Sequence, residues 1–525
     1  MKANSDKSKQ SKKATRRVLA GVLCGASVLS LVLSLVMPPI SQAIANDAQA
    51  APTEETVMGG GSSSESTVVD NTTNGDAENQ NSDDAENGET DPSNGLEQNQ
   101  VEDQPEDELL GEDGKSSDDN AAMAVAEGEQ AEAASGEIDS AEKLKTELEK
   151  ASDAANFKLT KDIVTSETIQ LNKSGSIITL DLNGCKIKHE SPNQPLFNIT
   201  AGATLTVKDS QQAAPTETMV NGVNNGNLAS MEYDGSSIPT KLTYYVTESV
   251  AKGTGTTETL KGYKADIKGA IVACGNADAT GLKLVNLYNG GNFNFESGVL
   301  TQKKDDRIGN LIYAENGSTV NMSGGYVCGA STGTSGAGAG IMVSNANGGA
   351  STLNLTGGVI AGNYASNGGG VYANGSTINM TGGTISGNGT FKDRSGYGAG
   401  VCAVGSTVVI SGGYITNNNY QFYSDNEGST KHIGNGCHGG GGIAAFNNGS
   451  LTINGGYITG NYSAEAGGGI YAGAWNQALS LFSFSGGSIA SNVAQNSEGG
   501  GIRIAAPTVG EFNVIGKKAY ITNNT

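Results

Sequence analysis

The sequence contains 77 glycines but no Gly-X-Y period, which excludes a collagen-like triple helix. Cysteine is sparse, and Leu23 stands before Cys24 where a lipoprotein signal has a small residue, which excludes lipidation. The other five cysteines, Cys185, Cys274, Cys328, Cys402 and Cys437, are odd in number and irregularly spaced, so no disulfide framework follows. Cys402 and Cys437 fall in neighbouring repeats and could pair, although each also suits a packed interior as a small apolar residue. Histidine occurs three times, and His432 and His438 with Cys437 lack the spacing of a metal site, so no metal is expected. Bases number 32 against 54 acids, for a formal net charge of −22, and no nucleic-acid partner is expected.

What is present is a repeat. Residues 350–390 read ASTLNLTGGVIAGNYASNGGGVYANGSTINMTGGTISGNGT and carry one phrase twice. Leu353 and Leu355 precede Gly357-Gly358, with Ile360 and Asn363 after; Ile378 and Met380 precede Gly382-Gly383, with Ile385 and Asn388 after. A third short run, Val371-Tyr372-Ala373, lies between the copies. The same offsets recur at Val320/Met322, Val408/Ile410, Leu451/Ile453 and Phe482/Phe484 before the glycine pair, and at Val327, Ile415, Ile458 and Ile489 after it. Asn418, Asn461 and Asn492 complete the phrase, and Phe293/Phe295, Ser297-Gly298 and Leu300 form a worn earlier copy.

Side chains alternate faces along a strand, so these apolar residues share one interior. Three short strands per unit, repeated every 25 to 43 residues, describe a chain winding into coils whose cores become continuous only when stacked. Asparagine tolerates left-handed backbone at the turns and can bond to its neighbours above and below. The fold class expected is all-β, a right-handed parallel β-helix over 138–525.

Residues 1–45 read as a signal peptide, or an uncleaved anchor: Lys2, Lys7, Lys9, Lys12, Lys13, Arg16 and Arg17 precede an apolar run from Val18 to Met37, and Ala43-Ile44-Ala45 offers a cleavage site. The expected localisation is therefore extracellular or cell surface, with the membrane touched only through that segment. Residues 46–137 hold one base, Lys115, against roughly two dozen acids and should form a disordered, self-repelling linker. A capping helix is expected over 139–155, with Asp139 as cap, Glu142 three residues on, and Leu144, Leu148, Ala151 and Ala155 on one face. It would plug the open first coil. Residues 211–265 break the repeat; Lys241–Thr247 reads as a strand, Gly253–Thr257 as its return, and the whole as a surface hairpin. The last residues, Ala519–Thr525, read as the third strand of a coil, so the chain is expected to be truncated at its C-terminus.

From Ile177 the text IITLDLNGCKIKHE, then LFNITAGATLTVKDS from Leu196, resembles bacterial surface proteins with right-handed parallel β-helix repeats, within the pectin-lyase-like superfamily. The later GGGVYA and TINMTGGTISGN wording is similar to the GGxI/xxN repeats of polymorphic outer-membrane proteins. The resemblance covers 177–210 and 268–525. It implies architecture more than activity, because the superfamily holds lyases, hydrolases, epimerases and non-enzymatic adhesins.

Within such a fold the sheet that follows the GGG turns places Ile341, Val371, Val401, Ile443, Ile470 and Ile502 inward. The next residue of each strand then faces out, giving Met342, Tyr372, Cys402, Ala444, Tyr471 and Arg503, with Tyr313 earlier. Exposed tyrosines stack on sugar rings, so Tyr313, Tyr372, Tyr471 and Arg503 are the candidate binding residues; tyrosines packed on one another between coils are the alternative. Tyr326, Tyr414 and Tyr457 form a second outward set. The resemblance implies a substrate groove along the first sheet, walled by loops carrying Asp393, Arg394, Asp425, Glu427, His432, His438, Glu465 and Glu498. Glu465 and Glu498 sit at nearly equivalent points of successive coils, where rungs are about 4.8 Å apart. That pair could approach the retaining-glycosidase separation of about 5 to 5.5 Å, and with Asp393 it makes up the candidate catalytic acids. Such a pair could also hold Ca²⁺; otherwise they are solvated loop acids, and no cofactor is expected.

These readings favour adhesion or glycan recognition, with an extracellular polysaccharide or a host or cell-surface protein as partner. A polysaccharide-degrading lyase or glycoside hydrolase is the alternative, and a structural spacer for a domain beyond residue 525 is the second.

Overall fold

The computed structural model describes residues 134–525, apart from 192, 219, 221–228, 276–280, 333–335, 392–395, 420–421, 425–429, 433–436, 474–476, 478 and 506–511. The signal segment, almost all of the linker and Asp393 lie outside the described residues. Among the described residues no helix is long and apolar enough to cross a membrane.

The chain forms a parallel β-helix. One turn runs through Val371–Asn374, Thr377–Met380 and Thr384–Ser386, and the next through Val401–Val404, Thr407–Ile410 and Tyr414–Thr416. First strands stack on first strands in a ten-stranded sheet. Second and third strands form a nineteen-stranded sheet, because several chains, Thr352–Ala361 among them, pass the glycine corner without losing their pairing. Pairing is in register: Ile341, Val371, Val401, Ile443 and Ile470 lie one above another, as do Ile360, Ile385, Ile415, Ile458 and Ile489. All of these side chains are 2 % exposed or less and belong to one continuous apolar core. Each buried aliphatic contributes about 1.5–3 kcal/mol, an amount no isolated coil could collect.

The corners follow from close approach between coils. A Cβ on Gly382 would lie 2.3 Å from the Thr356 carbonyl oxygen one coil below, and Gly383 takes φ +78°, a left-handed value that a side chain would strain. At the corner before the second strand, buried serines link coils: the Ser351 and Ser376 amides donate to Ser376 Oγ (3.3 Å) and Ser406 Oγ (3.1 Å). After the third strand runs a ladder of buried asparagines. The amide nitrogens of Asn363, Asn388, Asn418, Asn461 and Asn492 each donate to the Oδ1 of the next, the last to Asn524, at 2.9–3.0 Å. Each also donates to a third-strand carbonyl of a neighbouring coil, as Asn388 does to Ile360 (2.9 Å).

The N-terminal end departs from expectation in detail. The helix spans Ala141–Lys150 rather than 139–155, and its cap is Ser140, whose hydroxyl accepts from the Lys143 amide (3.3 Å). Asp139 instead pairs with Lys143 at 3.1 Å. Leu144 and Leu148 are fully buried, but Ala155 belongs to the strand Ala154–Leu159, whose alternating burial ends the helical period. A further strand, Ala134–Ile138, pairs with it inside what the sequence suggested was linker.

The 211–265 excursion is larger than a surface hairpin. Its two long strands, Pro239–Lys252 and Gly255–Asp266, pair antiparallel from Lys241↔Asp266 to Lys252↔Gly255 around a turn at Gly253. Short flanking strands, Ser230–Tyr233 and Thr216–Thr218, complete a four-stranded sheet. Leu242, Tyr244 and Val246 pack against Ala270, Val299, Tyr326 and Val359, so this sheet lies flat on the outward face of the third strands.

Candidate functional site

A β-helix offers three outer faces, and two of them here are built over. On the first-strand face the outward column is covered, which corrects the expectation of exposed tyrosines. Tyr372 is 4 % exposed, Tyr471 5 % and Tyr313 9 %. The cause is the GGG turn. Gly368 takes φ +59°, so the chain folds back across the column, and a Cβ there would lie 2.9 Å from Tyr372 Cβ. The stacked turns bond coil to coil, Gly368 N to Tyr397 O (3.0 Å) and Gly398 N to Gly439 O (2.9 Å). Beneath them Tyr397 meets Phe446, His438 and Tyr471 at centroid distances of 5.0, 5.1 and 5.5 Å. Burial pushes the Tyr372 hydroxyl and the Cys402 and Cys437 thiols up, the last to about 12, so these groups are packed and protonated.

Tyr313 is occupied differently. Lys283 Nζ stands 3.4 Å over its ring, and its hydroxyl donates to Glu315 (2.9 Å). Burial pushes the Lys283 ammonium down and the Tyr313 hydroxyl up. Arg503 lies 5.5 Å over the Tyr471 ring and pairs with Glu498 at 3.8 Å. The Glu498 side chain is 81 % exposed. Glu465 is half-buried one coil away, and the Glu498 carbonyl accepts from the Gly467 amide (3.0 Å), which offsets the two acids by one residue. Among the described residues no group of three or more His, Cys, Asp or Glu could hold a metal ion.

On the third-strand face the excursion covers the outward side chains, which explains why Val272, Cys328 and Ala361 are buried although they point away from the core. Tyr326 is likewise 5 % exposed, tilted against Tyr244 with centroids 6.4 Å apart. Tyr414 and Tyr457 stack on each other at 4.9 Å and 14° and remain half-buried.

The second-strand face is the open one. From Thr319 to Ser485 its outward positions carry no charge, and only Val409 and Leu481 lack a hydroxyl or amide. Each coil supplies a triplet such as Thr319-x-Asn321-x-Ser323, Thr352-x-Asn354-x-Thr356 or Thr377-x-Asn379-x-Thr381, exposed or half-buried throughout. The asparagines are locked head to tail: Asn379 Nδ2 donates to Asn354 Oδ1 (2.9 Å), Asn354 to Asn321 (2.8 Å), Asn321 to Asn294 (2.9 Å) and Asn294 to Thr206 Oγ1 (3.1 Å). A primary amide has two donors and two lone pairs, so each retains one N–H and one lone pair for solvent or ligand. The rungs repeat at about 4.8 Å. Alternation in the sequence marked these positions as outward, but threonine and asparagine on a strand carry no signal that separates a binding lattice from a solvated face.

Searches against family models, curated proteins and solved structures find no match to the chain.

Proposed function

We propose that this protein is a secreted or surface-tethered recognition module that binds an extended, uncharged glycan along the outer face of its second strands. The observation that carries the proposal is the charge-free lattice of hydroxyls and amides from Thr319 to Ser485, its asparagine column held in one rotameric state by amide–amide hydrogen bonds. A preorganised array loses little side-chain freedom on binding, and its regular spacing matches a ligand that is itself periodic. The resemblance to pectin-lyase-like surface proteins and to GGxI/xxN repeats belongs to this reading, as do the export signal and the acidic tether. A cell-surface protein is the other partner the lattice suits, and a spacer for a further domain is what remains if nothing binds. Catalysis is disfavoured by the exposure of Glu498 and its pairing with Arg503, because a general acid needs a sheltered carboxyl.

The test is affinity electrophoresis of the full chain through neutral polysaccharides and polyuronates, followed by size analysis of recovered glycan. Thr377→Lys with Thr407→Lys changes outward positions only. Losing two neutral hydrogen bonds of about 1 kcal/mol each should weaken binding tenfold or more, with glycan length unchanged. Shortening of the glycan that stops in the Glu465→Gln/Glu498→Gln variant would replace the proposal with the enzyme reading. Full binding by the Thr→Lys variant would remove this face from it.

A further inference from the structure

The excursion ties together coils that do not touch one another. It leaves the solenoid between Lys208 and Ala270, where other coils have their glycine corner, and runs along the stack. Its long strands hold twelve pairs, about 40 Å at about 3.4 Å per residue, close to the span of the nine rungs from Ala270 to Tyr520 at about 4.8 Å each. Anchors recur along that path. Ser386 Oγ donates to the Tyr245 carbonyl (2.5 Å), and Asn417 Nδ2 donates to the same oxygen (3.1 Å). The Thr247 amide donates to Thr416 Oγ1 (3.1 Å), while its carbonyl accepts from Thr459 Oγ1 (2.6 Å), so one hairpin residue grips two coils. Ser249 Oγ meets Ser488 Oγ at 2.8 Å, and it is here that the tyrosine column of Tyr414 and Tyr457 gives way to a small residue that lets the hairpin cross. At the tip Thr256 bonds Thr522, and Asn523 Nδ2 donates to Glu258 (2.7 Å).

The solenoid is shaped to receive it. A Cβ on Gly329 would lie 2.0 Å from Met231 Cε, and one on Gly387 would lie 2.5 Å from the Ala229 nitrogen. These glycines end third strands, and farther along the same corner Asn417 and Asn523 take their place and bond the hairpin instead.

In an ordinary stack each coil is held only by its neighbours, so the last coils fray first. We infer that the hairpin is a longitudinal clamp, which couples the stability of the C-terminal coils to the coils at its root and makes the stack open as one unit. Hydrogen exchange on the full chain tests this. In one variant residues 248–259 are replaced by Asn-Gly, which closes the hairpin between the paired residues Thr247 and Leu260 and removes the Ser249, Thr256 and Glu258 anchors. In the other, Glu258→Ala, the tip loses its bond from Asn523, and Thr256 and Ser249 lose the carboxylate that holds their hydroxyls. In the unaltered chain the core amides of Leu451–Ile453 and Phe482–Phe484 should exchange through the same opening as those of Leu205–Val207. In the shortened chain they should exchange at least tenfold faster, with Leu205–Val207 unchanged. Should the shortened chain not fold, Glu258→Ala should show the same split for Phe482–Phe484 alone. C-terminal coils that already exchange independently in the unaltered chain, or that keep their protection once the tip is gone, would overturn the inference.

Discussion

Asn388 shows how much one turn residue carries. Its Oδ1 accepts from both the backbone amide (3.1 Å) and the side-chain amide (3.0 Å) of Asn363, and its Nδ2 donates to the Ile360 carbonyl and to Asn418 Oδ1. It is fully buried. Asn388→Ala therefore does more than delete one bond of about 1 kcal/mol, since it strands donors on Asn363 and an acceptor on Ile360 at about 1–3 kcal/mol each. The expected loss is about 3 kcal/mol or more, readable as a lower urea midpoint with unchanged slope. The asparagine ladder was legible in the sequence because its members keep a fixed offset from the glycine pairs and from the inward isoleucines. In the sequence the outward tyrosines read as exposed, because alternation reports only which side of a strand a residue takes. A covered face and an open one look alike by that criterion. One signal was available: Met342, Tyr372, Cys402, Ala444 and Tyr471 are all weakly polar or apolar, and a strand apolar on both faces is a strand buried on both.

Among the elements, the strands were easier to anticipate than the pieces that close the fold. Repeated coils average out local ambiguity, whereas the helix Ala141–Lys150 occurs once. The sequence extends it too far because Ala151 and Ala155 continue the helical spacing, although Ala155, Phe157 and Leu159 already alternate as a strand, Ala155 and Phe157 pairing with Ile178 and Leu180. The helix contributes Leu144 and Leu148 to the core, where both are fully buried over the first coils. Leu148→Ala should cost about 2–5 kcal/mol, the range for truncating a buried leucine, and Ser140→Ala about 1 kcal/mol through the lost cap. Limited proteolysis should then cut first within 154–190 in the Leu148→Ala chain. Cleavage that still begins elsewhere would mean that the helix does not hold the N-terminal end. The sequence shows the hairpin as a strand and its return but not its docking, because hydrogen bonds between residues 141 to 266 positions apart leave no periodic trace in it.

At the scale of the whole molecule, charge is segregated. Residues 134–525 hold 28 acids and 24 bases, a net charge of −4, so most of the −22 lies before the solenoid. No charged residue occurs between Glu315 and Lys392, and none stands on the open second-strand face from Thr319 to Ser485. This division makes the proposed ligand class testable by salt alone. A ligand recognised by hydroxyls and amides gains nothing from long-range attraction, whereas a polyuronate would have to be drawn in by lysines and arginines whose field is screened. Raising NaCl from about 0.1 M to about 1 M shortens the screening length from about 10 Å to about 3 Å. Affinity for a neutral glycan should then stay within about twofold, as measured by titration calorimetry on the full chain. The acidic segment 46–137 should have no effect on this result, so a chain beginning at residue 134 should bind the same glycan equally at both salt concentrations. A tenfold loss at high salt would identify an anionic ligand, and the binding surface would then have to be sought among the bases near the hairpin root, such as Lys186, Lys188 and Lys241, rather than on the uncharged lattice.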